Sequence, residues 1–89
     1  MKLKYSFETV DMGNEIVAVP VGKSAEKVNG VVKLNKSAQE IFAILSEESS
    51  IDGIVSYLSK KYDDETENIK KYVNQVVDYL RSIDLIEEG

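Results

Sequence analysis

Apolar residues change their spacing once along this chain. From Phe7 to Leu34 they come in short β-branched runs, and from Ala38 onward they recur at three- and four-residue steps. The runs Phe7 to Met12 and Glu15 to Val21 predict two strands joined at Gly13-Asn14, a pair suited to a tight hairpin turn. Pro20 has no N–H to give to a sheet, so it is expected to end its strand or to sit on an edge. A polar connection covers 22–27. Asn29-Gly30 then turns the chain into a third strand, Val31 to Leu34, with Lys27 and Val28 expected to pair briefly with its start.

Asn35 stands where the third strand ends and helical spacing begins. Its side-chain oxygen is placed to cap the first predicted helix, Lys36 to Leu45, which buries Ala38, Ile41, Phe42 and Leu45. Ser50 is the expected cap of a second helix carrying Ile54, Val55, Leu58 and Tyr62 on its buried side, with Asp52 in the first turn. Gly53 weakens that helix by roughly 1 kcal/mol if it is interior. A third helix, Thr66 to Ile83, presents Ile69, Val73, Val76, Leu80 and Ile83 as its core line. Leu85-Ile86 is left to close over the core.

Two flanks run beside the core line of the third helix. Tyr72 and Tyr79 lie on one. Lys70, Asn74, Val77 and Arg81 lie on the other, and periodicity alone reads that mixed stripe as a solvated shoulder with one incidental valine.

Composition changes the picture mainly by exclusion. With 89 residues, 43% hydrophobic and 30% charged, the chain is expected to be a single folded domain, 1–89. It has no cysteine and no histidine. That excludes thiol nucleophiles, disulfides, thiolate or imidazole zinc sites and every triad with a histidine base. The net charge is −5, and acids outnumber bases by twelve to six from Asn35 onward, against four to five before it. Such a field repels a phosphate backbone, so no nucleic acid is expected as a partner. The acids of Asp63 to Glu67 suit a helix N-terminus and lack the alternating ligands and central glycine of a calcium loop. Paired acids occur only in loops and helix ends, with no predicted apolar pocket to raise a pKa, so catalysis is not expected. No run of 18 apolar residues and no signal-peptide core are present, so the expectation is a cytoplasmic protein without a membrane partner.

Extended segments followed by three helices describe an α+β domain, compatible with a winged helix-turn-helix arrangement. The order Val19-Pro20-Val21-Gly22, Asn29 through Ala38, Ile41-Phe42, Leu45, Ser50 through Ile54, Leu58 to Tyr62 and Leu85-Ile86 resembles the PqqD family over most of the chain. Three departures concern packing and turns: Phe42 stands where tryptophan is common, Ser46 to Ser49 lacks a glycine, and Asp84 replaces one.

The resemblance implies a small three-stranded antiparallel sheet followed by three helices, with no cofactor and no catalysis. It further implies a peptide chaperone, or RiPP recognition element, that captures the leader of a ribosomally made precursor peptide and presents it to a modifying enzyme, often a radical SAM enzyme. The leader would add as a strand to Val31, Val32, Lys33 and Leu34 and rest against Lys70, Val73, Asn74, Val77 and Arg81. Lys33, Lys70 and Arg81 would form a basic patch that selects acidic leader residues. Two rivals share the architecture: a DNA-binding winged helix, and a self-associating domain in which the edge strand pairs with its own copy as a homodimer rather than a monomer.

Overall fold

In the computed structural model, which describes residues 1–88, the predicted hairpin is formed by β2 (Phe7–Asp11) and β3 (Ile16–Pro20). Met12 and Glu15 close its turn, the Met12 N–H donating to the Glu15 carbonyl at 2.8 Å. Of the two turn residues only Gly13 has a positive φ, +93°, the pattern of a turn that needs glycine at its first central position. Pro20 ends β3, opposite Phe7. Gly22–Glu26 then coils into a 3-10 turn that hydrophobic patterning did not predict. That turn takes the N–H groups of Lys27 and Val28 to the Ser24 carbonyl, so the expected brief pairing of these two residues with the third strand does not occur.

The third predicted strand is β4 (Val32–Leu34), antiparallel to β3 with Ala18 opposite Val32 and Ile16 opposite Leu34. The sheet order β2-β3-β4 leaves β3 in the centre and two open edges. Ile16, Ala18, Val32 and Leu34 face inward, whereas Glu8 to Asp11 of β2 are exposed, so the hairpin projects from the body as a wing. Phe7 anchors it by an edge-to-face contact with Phe42, centroids 5.2 Å apart.

Asn35 and Ser50 cap as their positions predict. The Asn35 Oδ1 accepts from the Ala38 N–H at 2.8 Å and starts α1 (Lys36–Ile44). The Ser50 Oγ accepts from the Gly53 N–H at 3.0 Å and starts α2 (Ile51–Lys61). Gly53 therefore belongs to the cap and not to the helix interior, and an added Cβ would lie 3.1 Å from the capping hydroxyl. Between α1 and α2 no glycine is needed. The hydroxyls of Ser46 and Ser49 donate to the carbonyls of Ala43 and Ile44 and satisfy the end of α1.

The third helix, α3 (Thr66–Ser82), buries Ile69, Val73, Val76, Val77 and Leu80. Its exit is a Schellman turn: the Asp84 N–H bonds to the Arg81 carbonyl and the Leu85 N–H to the Leu80 carbonyl, each at 3.0 Å. Asp84 holds the left-handed position at φ +61°, where glycine carries no steric penalty. Asp84→Gly is therefore expected to stabilise the fold by about 0.5–1 kcal/mol, roughly 2–8 °C in Tm. The exposed Lys4–Asp84 ion pair opposes this only weakly. A lower Tm on thermal unfolding would mean that the ion pair, not the backbone, governs this end.

After the turn, β5 (Ile86–Glu87) pairs antiparallel with β1 (Lys2–Leu3), a second small sheet that the apolar pattern did not indicate. The Leu3 N–H donates to the Leu45 carbonyl at 2.8 Å, which ties this pair to the end of α1. Leu3, Leu85 and Ile86 complete one continuous core with the sheet and the three helices.

Candidate functional site

The outer edge of β4 pairs with no other strand, and among the described residues Val31 to Leu34 make no side-chain hydrogen bond or ion pair. An open edge of this kind is a row of main-chain donors and acceptors ready for an added strand. Alternation gives the row its two faces. Val32 and Leu34 are buried and hold the strand in register, while Lys33 and the preceding Val31, which is 51% exposed, point away from the core. The other open edge, β2, is a poorer template. Its residues from Glu8 to Asp11 are exposed on both faces, and it carries two acids.

α3 reaches the end of β4 at Asn35, where one hydrogen bond defines its roll. The Tyr72 hydroxyl donates to the Asn35 Oδ1 at 3.0 Å, so the tyrosine side of the helix faces the joint where β4 becomes α1. At about 100° per residue, Tyr79 and Ile83 lie within roughly 20° of Tyr72 around the helix and Val76 within roughly 40°. Tyr79 is 49% exposed and Ile83 41% exposed. An apolar, partly uncovered stripe therefore continues from Tyr72 along the helix.

The residues of the expected groove wall fall on different parts of α3. Lys70, Asn74 and Arg81 lie about 160–200° around α3 from Tyr72, on the side away from the β4–α1 joint. Val73 and Val77 are fully buried and belong to the core, so neither presents a surface to a ligand. Ile83, expected in the core, is instead the exposed residue that caps the helix C-terminus, because the chain turns at Asp84. Arg81 is already engaged, its Nη1 3.1 Å from Asp78 Oδ1 and its Nε on Glu88 Oε1. That hydrogen bond holds the Glu88 carboxyl below the usual carboxylate range. Of the three expected patch residues, Lys70 and Arg81 share the side of α3 opposite Tyr72, and Arg81 already pairs with two acids.

At the far end of β4, past Asn35, a cavity of about 390 Å³ opens between the first turn of α1, the end of α2 and the start of α3. Glu40 sits in its wall, its Oε1 accepting from the Tyr62 hydroxyl at 2.6 Å and from the Lys61 ammonium at 3.1 Å. The Tyr62 hydrogen bond is the chief reason the Glu40 carboxyl titrates below its ordinary range, with Lys61 adding to it against a cost of burial. Tyr62, expected on the buried side of α2, is accordingly 43% exposed, its hydroxyl reaching Glu40 from the helix end. No group of histidine, cysteine, aspartate or glutamate among the described residues is arranged to hold a metal ion. No helix among them is long and apolar enough to cross a membrane.

No curated protein matches the sequence. The solved structure of TbiB1 in complex with the TbiA(beta) leader peptide shares the fold, with a TM-score of 0.72 over 100% of this chain and 98% of that one, at 16% identity. The family model for coenzyme PQQ synthesis protein D (PqqD) matches residues 15–86, which span the hairpin's second strand, β4, all three helices and the start of β5. The chain belongs to the PqqD family.

Proposed function

We propose that this protein is a non-catalytic peptide chaperone that binds the leader segment of a ribosomally made precursor peptide and presents it to a modifying enzyme of the radical SAM type in the cytoplasm. The observation that carries the reading is the open edge of β4, with Tyr72 of α3 bonded to the residue that follows the strand, in a member of the PqqD family. TbiB1, whose fold this chain shares, was solved with a leader peptide bound, which supports the same use of the fold here.

The physics is strand addition. Main-chain hydrogen bonds from Val31, Val32, Lys33 and Leu34 supply affinity with little demand on sequence, and alternate side chains of the added strand rest on Tyr72, Tyr79 and Ile83. Buried Val32 and Leu34 act by keeping the edge rigid before the peptide arrives, which lowers the ordering cost of binding. Lys33 and Val31 contact the peptide from the strand side, and Lys70, Asn74 and Arg81 remain outside the contact.

The test starts from a displayed random-peptide library panned against the protein, followed by amide hydrogen exchange with a recovered peptide. Exchange is expected to slow at Val31 to Leu34 and to stay unchanged at Phe7 to Asp11. Protection at the β2 edge instead, or at neither edge, contradicts the reading.

A further inference from the structure

The cavity beyond β4 has no part in strand addition as described, yet it lies in line with it. Tyr72 belongs to both places: its ring lines the cavity and its hydroxyl bonds Asn35, the residue that follows β4. A peptide paired along β4 and continuing past Leu34 would run toward Asn35 and Ser37, where the wall of the cavity begins.

We propose that the cavity receives a basic side chain, lysine or arginine, of the peptide bound along β4; the proposal rests on the peptide-binding reading and adds to it a position and a chemistry. Three carboxylates line the opening, Glu40, Asp63 and Asp64, together with the rings of Tyr62 and Tyr72. Leu58 and Ile69 form an apolar floor that suits the methylene stem of such a residue. Lys61 is bonded to Glu40, whereas Asp63 and Asp64 make no ion pair among the described residues. The local balance is therefore two negative charges in excess.

The protein's own Lys61 shows what these groups do with a cation. Its ammonium lies 3.1 Å from Glu40 Oε1 and 5.7 Å from the centre of the Tyr62 ring, combining a carboxylate with an aromatic face. Asp63, Asp64 and Tyr72 line the same cavity, and among the described residues neither aspartate is paired with a cation; Asp64 Oδ1 accepts from the Glu65 N–H and the Asn68 amide. Helix ends do not reverse the sign: the carbonyl end of α2 and the N–H end of α3 meet here with opposite partial charges. At about 390 Å³ the volume lies within the roughly 300–1,000 Å³ of ordinary ligand pockets.

The experiment pans one random-peptide library against the wild type and against the double variant Asp63→Asn/Asp64→Asn. Asparagine keeps the side-chain oxygen that accepts from the Glu65 N–H at 2.7 Å, and thermal unfolding checks that the variant folds. Wild-type binders are expected to share lysine or arginine at one position beside an apolar strand pattern. In the variant that position should revert to library frequencies while the apolar pattern persists. Replacing the basic residue by alanine in one binder should weaken wild-type binding about five- to tenfold and variant binding hardly at all. A shared pattern without a basic position, or a basic position unchanged in the variant, overturns the cavity's role and leaves strand addition standing. Recovery of no peptide by either protein rejects both.

Discussion

Ile41→Ala is expected to lower the unfolding free energy by about 3–4 kcal/mol, within the range for truncating a buried isoleucine. Ile41 is fully buried on α1, in the core cluster that also holds Leu34 of β4 and Leu80 of α3. Few proteins of this size can absorb such a loss, since 89 residues correspond to a total stability of about 4–13 kcal/mol. Urea unfolding should show the midpoint shifted sharply with an unchanged slope, and Ile41→Val should cost about 1 kcal/mol. A loss below about 1 kcal/mol for the alanine variant would mean that the core collapses around the gap, contrary to the packing described. The same cluster holds Val32 and Leu34, so the loss also loosens β4, the proposed docking strand.

Tyr79→Ala combined with Ile83→Ala is expected to weaken capture of a library-selected peptide by about 30–100-fold, as for the loss of one aromatic and one aliphatic anchor from an interface. Both side chains are exposed by more than two fifths, so stability should change little. The control is Lys70→Ala combined with Arg81→Ala on the opposite side of α3, expected to change binding less than threefold, within the range of a solvent-screened charge. Fluorescence titration of the two double variants decides between the walls. Strong loss in the lysine and arginine pair, with little in the tyrosine and isoleucine pair, would return the groove to the mixed stripe that the sequence suggests.

Local chemistry accounts for much of the agreement between sequence and structure. Gly13-Asn14 makes its turn from the φ of one glycine, and Asn35 and Ser50 cap their helices through bonds to residues three positions on. Such interactions close within a few residues, so they are readable from a few residues. The buried faces of α1 and α2 follow in the same way from spacing, with Tyr62 the exception because its hydroxyl finds Glu40 across the cavity, 22 positions earlier in the chain.

Pairings distant in sequence were hidden for the opposite reason. Lys2–Leu3 has no periodicity to announce a strand and becomes one only because β5 lies beside it, more than 80 positions later. The family pattern marks Asp84 as standing in place of a glycine, but the left-handed φ that explains the preference is seen only with the helix exit in place.

For α3 the sequence by itself determined the helix, its length to within a residue and the two flanks beside its core line. It did not determine which flank meets the sheet edge. An amphipathic pattern defines one buried direction and is nearly symmetric about it, so the tyrosine and lysine sides are equivalent until another element breaks the symmetry. Tertiary structure breaks it through the Tyr72–Asn35 hydrogen bond and through Val77, whose complete burial moves the core line toward the stripe that spacing assigned to solvent. The sequence thus settled what each element is, because secondary structure and capping are local; the packing of α3 against the β4–α1 joint decided which side of the helix faces that joint, because that depends on residues 37 positions apart meeting in space.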